Sequence, residues 1–485
     1  MKLRQILKDI SISALCAELD MEIAEIYYDS RKVEKGGLFF AVKGFESDGH
    51  RYIAAAVERG AVCVGCQEPP DFEIPYVLVE DSRRALAICS RNFFGDPSSE
   101  MTMIGVTGTN GKTTSTYLIK HLLEVCLDAK VGLVGTNGNM IGSEFLPTEY
   151  TTPESYELQK LFAQMLESGC THIVMEVSSH SLALDRVEGI KFEVGIFTNL
   201  TQDHLDFHRD MDDYAKAKAK LFKNCKKGAF NIDSDWAELM MDSATCQIFT
   251  FSEKRNEADL VAKDVRLAPS GVRFCALNGD NLQRMKLGIP GLFSVYNALG
   301  VIACGLLLDI PLADCAEALS AAKGVKGRVE VVPTDGDYTV LIDYAHTPDA
   351  LENVLKAMKN IAEGRVVLVF GCGGDRDRTK RPIMGRIAGE NADFVVITSD
   401  NPRTEEPEAI ISEIAEGMKG SRTPSKLITS RPEAIEWAID KHRPGDIIVL
   451  AGKGHEDYQI IGKTKYHMDE REIVAEILEK RKNKK

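Results

Sequence analysis

The sequence predicts an α/β protein of three domains, and three observations carry that prediction. Short apolar runs rich in Val and Ile alternate with helical patterns along most of the chain, as in a mostly parallel sheet. One of these runs opens into a glycine-rich loop followed directly by a helix. Three late runs share one layout, each ending in a polar cluster.

In chain order, Leu38-Phe-Phe-Ala-Val42 reads as a buried strand and residues 52–60 as a short amphipathic helix. Ala61-Val-Cys-Val and Tyr76-Val-Leu-Val79 add strands, so residues 1–97 form a small N-terminal α/β domain closing at Asp96-Pro97-Ser-Ser99. Cys63 and Cys66 make a C-x-x-C with no second pair and no helix directly after it, which reads as strand packing. The loops Tyr28-Asp-Ser30-Arg31 and residues 43–50 read, on their own, as surface turns.

Residues 98–330 are predicted to be a central, P-loop ATPase-like domain. The apolar Met103-Ile104 leads into Gly105-Val-Thr-Gly108-Thr109-Asn110-Gly111-Lys112-Thr113-Thr114, and Leu118/Leu122 and Ile119/Leu123 then recur at helical spacing. Strand, glycines and helix N-terminus are what a phosphate cradle needs. A lysine reaches the outer phosphates, and the hydroxyl of Thr113 is placed to ligate magnesium. The spacing departs from the usual Walker pattern: Gly105 lies one residue too far from Gly111-Lys112, and Gly108 too near.

The run His172-Ile-Val-Met-Glu176 delivers a carboxylate at a strand end, the position that holds the metal in such sites. His204 and His208 lie four apart with carboxylates between them, but no third ligand completes a zinc site, and His204 is read as serving a divalent ion near the phosphates. The stretch Tyr214-Ala-Lys-Ala-Lys218-Ala-Lys-Leu-Phe222 is lysine-rich and helical, which by composition alone is a solvated face. A buried helix opens near Asn297.

Residues 331–485 form a predicted Rossmann-like C-terminal α/β domain. Val366-Val-Leu-Val-Phe370, Phe394-Val-Val-Ile-Thr398 and Ile447-Ile-Val-Leu-Ala451 are apolar at consecutive positions, as in a sheet covered on both faces. Their carboxyl ends should point one way and gather Arg376, Asp400, Arg403 and Glu456 in one crevice. Arginine forks suit carboxylates and acidic groups suit ammonium, so the ligand carries both signs, as an amino acid does.

A formal net charge of −14 argues against a general nucleic-acid or anionic-membrane binder. The N-terminus lacks a signal-peptide core, and the longest apolar stretch, residues 298–308, is too short to cross a bilayer. Twelve scattered cysteines suit a reducing compartment, so a cytoplasmic protein without membrane insertion is expected.

Together these stretches resemble the Mur ligases of bacterial cell-wall synthesis over nearly the whole chain. The matching segments are Thr107-Gly-Thr-Asn-Gly-Lys-Thr113, Asn199-Leu with Asp203-His204-Leu-Asp206, and Asp343-Tyr-Ala-His346. Tyr28-Asp-Ser30-Arg31, Glu176-Val-Ser-Ser-His180, and Gly374-Asp-Arg376-Asp with Lys380-Arg-Pro382 are similar to the branch that adds the third peptide residue. Asp400-Asn401-Pro402-Arg403 resembles the motif found in that branch with meso-diaminopimelate, where lysine-adding relatives typically lack the arginine.

The resemblance implies an ATP-dependent ligase acting on UDP-N-acetylmuramoyl-L-alanyl-D-glutamate and meso-diaminopimelate, with Mg2+ and a carbamate on Lys218, as a monomer whose C-terminal domain closes onto the nucleotide. It implies that Lys112, Glu176, His204 and Lys218 are catalytic, and that Thr113, Glu176, His204 and Lys218 serve the metal. ATP would be held by Gly108, Thr109, Asn110, Gly111, Lys112, Thr113 and Thr114, with Asn297, Arg328, Asp343 and His346. Ser30 would contact the uridine diphosphate, and Thr151, Thr152, Ser178 and Arg186 the rest of that substrate. Arg376, Asp400, Asn401, Pro402, Arg403, Gly452 and Glu456 would hold the amino acid. Many relatives carry glutamine where this chain has Leu184, which puts one muramoyl contact in question. Other readings are the lysine-adding ligase, a folylpolyglutamate synthetase-like ligase, and a non-catalytic nucleotide-binding regulator.

Overall fold

The computed structural model describes residues 1–44, 47–148 and 150–482, so part of the polar loop at 43–50 lies outside it. The protein has the three-domain α/β fold the sequence predicts, and by contacts the chain divides into two compact units. The first unit comprises Met1–Val261 with Leu299–Cys315 and the second Ala262–Ala298 with Ala316–Lys485.

In the first unit a five-stranded sheet holds the strands Glu25–Tyr27, Gly37–Phe40, Ala61–Cys66 and Tyr76–Val79 in parallel, with Ile12–Cys16 added antiparallel at one edge. Leu38, Phe40, Cys63 and Val77 are buried between this sheet and the helix Ser82–Phe93, which Asp81 caps. Cys63 and Cys66 are buried strand residues, and burial pushes their thiols up, to about 12 and about 11. The central sheet runs parallel through Gln247–Ser252, Cys225–Asn231, Phe192–Phe197, Thr102–Thr107, His172–Glu176 and Val131–Val134. In register, Gly105 faces Met175 on one side and Gly195 on the other.

The second unit begins with strands for which the sequence reading assigned no element: Gly271–Asn278 and Asn281–Leu287 form an antiparallel hairpin. Beyond it, Thr339–Asp343, Ile447–Ala451, Val366–Phe370, Phe394–Ile397 and Ser425–Leu427 pair in parallel, with Glu330–Val332 antiparallel at the edge. Every residue of Val366–Phe370 and of Ile447–Ala451 is buried, as a sheet covered on both faces requires. The carboxyl ends of these strands therefore open on one side. Among the described residues, no helix is long and apolar enough to cross a membrane.

Candidate active site

The glycine loop of the first unit lies between the strand Thr102–Thr107 and the helix Lys112–Leu127. Gly108 has φ +149°, and a Cβ there would sit 2.0 Å from Thr198 Oγ1, so the loop can pass only without a side chain. The neighbouring strand end fixes the loop: Thr109 N–H donates to Asn199 O at 2.9 Å, Asn110 N–H to Asn199 Oδ1 at 3.0 Å, and Thr198 Oγ1–H to Asn110 O at 2.7 Å. Thr113 and Thr114 are buried in the first turn of the helix.

One carbonyl collects two lysines. Lys112 Nζ donates to Gly108 O at 2.8 Å and Thr109 O at 2.7 Å, and Lys218 Nζ donates to the same Gly108 O at 2.9 Å. The solvated-face reading of the helix Met211–Ala219 is thereby corrected: Tyr214, Ala215 and Lys218 turn inward, and Lys218 is 1% exposed. Its Nζ lies 4.6 Å from the Tyr214 ring centre. Burial, reinforced by the Lys112 charge and opposed by Asp203, holds Lys218 well below the usual lysine range.

Glu176 ends its strand buried, with Oε1 accepting from Thr136 N–H at 2.9 Å and Oε2 from Thr136 Oγ1–H at 3.1 Å. From there a polar chain runs outward. Thr151 Oγ1 lies 3.0 Å from Thr136 Oγ1, Thr152 Oγ1 donates to Glu176 O at 2.8 Å, and Arg186 Nη1 donates to Thr152 O at 3.1 Å. Ser178 caps the helix Ser179–Ala183 through Ser181 N–H. So Thr151, Thr152, Ser178, Arg186 and Glu176 form one connected set. Ser30 opens a short 3-10 turn capped by Asp29.

His204 is not on a helix; its φ is +54°, and its ring packs edge-on against His180 with centres 4.9 Å apart. Burial, opposed by Asp203, lowers its pKa and so favours the uncharged ring. His208 turns inward, with Nε2 2.9 Å from Ser179 Oγ. Among the described residues no group of three or more His, Cys, Asp or Glu forms a metal cluster.

In the second unit Arg328, Asp343 and His346 gather around Tyr344. The Arg328 guanidinium lies 5.0 Å from the Tyr344 ring centre and the His346 ring 4.5 Å away. Both Asp343 oxygens accept backbone N–H groups, from Val329 and Ala345, at 2.8 Å each. Burial pushes its carboxyl up, against Arg328 and these two donors. Val329 has φ +46°, a strained conformation for a β-branched residue. Asn297 is buried on the helix Leu292–Leu307.

At the carboxyl ends of the second sheet, the loops after Phe370 and Ile397 are tied together. Gly374 N–H donates to Asn401 O at 2.9 Å, Arg403 Nη1 to Gly374 O at 2.8 Å, and Thr404 Oγ1–H to Asp375 Oδ1 at 2.7 Å. Arg403 has φ +52°. Asn401 Nδ2 donates to Glu456 Oε2 at 2.9 Å, and Gly452 abuts Asp400, whose Oδ2 would lie 2.8 Å from a Cβ there. Pro402 is buried, while Arg376 points to solvent.

Sequence reasoning passed over two buried cations. Lys453, fully buried, donates to Asn401 Oδ1 at 2.8 Å and to Glu456 Oε2 at 3.0 Å. Arg381, equally buried, bridges Glu405 and Glu413 and donates to Gly373 O at 3.2 Å. The one available signal was position: Lys453 directly follows the Gly452 that ends an all-apolar strand.

A phosphate-type loop on one parallel sheet and a mixed-charge crevice on another define the architecture of a nucleotide-dependent ligase. Three family models match: the Mur ligase family catalytic domain at residues 22–108, the middle domain at 106–305, and the glutamate ligase domain at 327–454. The chain belongs to the Mur ligase family. It is 50% identical over 464 residues to the UDP-N-acetylmuramoyl-L-alanyl-D-glutamate--2,6-diaminopimelate ligase of Caldanaerobacter subterraneus subsp. tengcongensis, covering 95% of each chain. To ligase 1 of the same name from Clostridium acetobutylicum it is 48% identical, covering 99% of each. A solved structure of a ligase with that name superposes with a TM-score of 0.75 at 32% identity, over 99% of each chain.

Proposed function

We propose that this chain is an ATP-dependent ligase that joins meso-diaminopimelate to the γ-carboxylate of D-glutamate in UDP-N-acetylmuramoyl-L-alanyl-D-glutamate, in peptidoglycan synthesis. The observation that carries the reading is the full-length 50% identity to a ligase so named, with Asp400-Asn401-Pro402-Arg403 lodged in the mixed-charge crevice. The domain division is taken as 1–97 for the uridine-linked substrate, 98–330 for ATP and 331–485 for the amino acid.

A carboxylate is a poor acyl donor because its leaving group would be oxide. Attack of the γ-carboxylate on the γ-phosphorus of ATP, with ADP leaving, gives an acyl phosphate. The amine then attacks the acyl carbon, and the tetrahedral intermediate collapses to an amide and inorganic phosphate. Residues 108–114 supply backbone N–H groups and Lys112 the charge that hold the phosphates. Thr152, Ser178 and Arg186 orient the muramoyl dipeptide, with Ser30 at its uridine end, so that a bimolecular step becomes a positioned one. Asn297, Arg328, Asp343 and His346 are assigned to ATP. Arg376, residues 400–403, Gly452 and Glu456 are assigned to the amino acid.

The donors fit magnesium: Thr113 hydroxyl, Glu176 carboxylate and a neutral His204 are hard or borderline ligands, and Glu176 is already oriented by Thr136. When bound, the ion would neutralise charge developing on the transferred phosphate. Lys218, held by burial well below the usual lysine range, fits carbamylation by carbon dioxide, which would add an anionic oxygen donor to that set.

The test is a panel assay with the purified chain, ATP, magnesium, bicarbonate and the nucleotide-linked dipeptide, reading phosphate release and product mass. Diaminopimelate is expected to support both, and lysine far less. Absence of any lengthened precursor overturns the proposal.

A further inference from the structure

Behind the crevice, four elements converge on one buried ionic set. Arg431 opens the helix Arg431–Asp440 and Glu470 opens Glu470–Lys482; both side chains are fully buried. Arg431 Nε donates to Glu470 Oε1 at 2.8 Å, and its Nη2 donates to Ala451 O, the last residue of the strand Ile447–Ala451, at 2.9 Å. Its Nη1 faces Asp400 Oδ2 at 3.8 Å. Asp400 stands three residues beyond the strand Phe394–Ile397.

The Asp400 carboxylate is thus turned inward. Oδ1 accepts the N–H of Asn401 at 2.8 Å, while Oδ2 points at Arg431 and lies against Gly452. Asp400 Oδ2, Arg431 Nη1 and Glu470 Oε2 are all buried and none makes a hydrogen bond among the described residues. Attraction across so enclosed a gap is strong, because little water screens it. Lys453 completes the set through Asn401 and Glu456. Two buried cations, Arg431 and Lys453, therefore stand against three carboxylates, Asp400, Glu456 and Glu470.

We propose that Arg431 and Glu470 are positioning residues for the incoming amino acid, acting through Asp400. They fix the inward carboxylate, and with it the backbone from which Asn401 and Arg403 reach the ligand. Within the stretch 400–403 assigned above to the amino acid, Asp400 on this view serves by anchoring the crevice, and Asn401 and Arg403 make the contact. The inference rests on the amino-acid assignment made above.

The test is steady-state kinetics of R431K and E470Q beside the native chain, each substrate varied with the other two saturating. Both variants keep a polar side chain of similar length, but lysine loses the fork and glutamine the charge. Each is expected to raise KM for diaminopimelate at least tenfold, leaving KM for ATP and for the muramoyl dipeptide within twofold. D400N, which keeps Oδ1 as acceptor for Asn401, should reproduce the shift. A merely structural role would lower kcat and the melting temperature together and leave the three KM values level, and that result overturns the proposal. If R431K fails to fold, E470Q and D400N decide it by the same criterion. A native chain that lengthens no precursor overturns the function reading and this inference together; native turnover with unshifted variants overturns the inference alone.

Discussion

Lys218 and Lys453, one in each compact unit, are both sealed from solvent, and they are kept in opposite ways. Lys218 meets a backbone carbonyl and the face of Tyr214, with no ion pair among the described residues and a second lysine on the same carbonyl. Lys453 meets Glu456 Oε2 and Asn401 Oδ1, with Tyr458 beneath it at 5.4 Å. Burial without an anion favours the neutral amine, which is the nucleophilic form. Burial with an anion favours the ammonium and makes it part of the scaffold. The surroundings, not the side chain, separate a lysine suited to chemical modification from one suited to holding a loop.

The largest expected difference is in folding. Lys453→Met leaves Glu456 without its buried partner and should cost about 3–5 kcal/mol in denaturant unfolding. Lys218→Met removes a charge that burial already disfavours and should be neutral or stabilising; equal losses for the two variants would break the comparison. Next comes turnover. Lys218→Ala is expected to lower kcat by about 10²–10³-fold, and carbon-13 bicarbonate should give a carbamate resonance in the native chain and in K453M but none in K218A. A resonance that survives in K218A places the modification elsewhere.

A smaller effect belongs to the crevice rim. Arg403→Ala should cost about 2–4 kcal/mol in kcat/KM for diaminopimelate, because the far carboxylate loses a two-pronged partner. Unchanged kinetics would refute that role. The smallest concerns acid. Arg381, then the Asp375 N–H, hold the Glu405 carboxyl down to about 2. A depressed carboxyl stabilises the fold above its unfolded pKa, so this contribution should fade as pH falls from about 4.5 toward 2. Glu405→Gln should flatten that limb of a melting-temperature profile, and an unaltered limb would contradict it.

Much of the fold was legible because its signals are local. The strand, glycines and helix of the phosphate loop are contiguous, and strands buried on both faces announce themselves as unbroken apolar runs. The hairpin of Gly271–Asn278 and Asn281–Leu287 was passed over, although buried Val272, Phe274, Met285 and Leu287 alternate with exposed Arg273, Arg284 and Lys286, the period-two pattern of a half-buried strand. Within the candidate site, the convergence of the late strand ends could be read from their shared layout. Burial of Lys218, Arg381, Arg431, Lys453 and Glu470 could not. Such residues default to the surface, and only partners distant in sequence, such as Gly108 for Lys218 and Glu470 for Arg431, show otherwise. The four-residue spacing of His204 and His208 carried no helix: His204 has φ +54°, and the two rings meet instead around His180 and Tyr214.

The carbonyl of Gly108 is an acceptor shared by two lysines. Whatever draws Lys112 toward a phosphate takes one of two donors from that oxygen and moves a positive charge away from Lys218. Occupancy of the loop and the proton balance of the neighbouring helix then become linked quantities, each biasing the other by the same free energy. Nucleotide affinity should accordingly respond to dissolved carbon dioxide, and uptake of carbon dioxide to nucleotide.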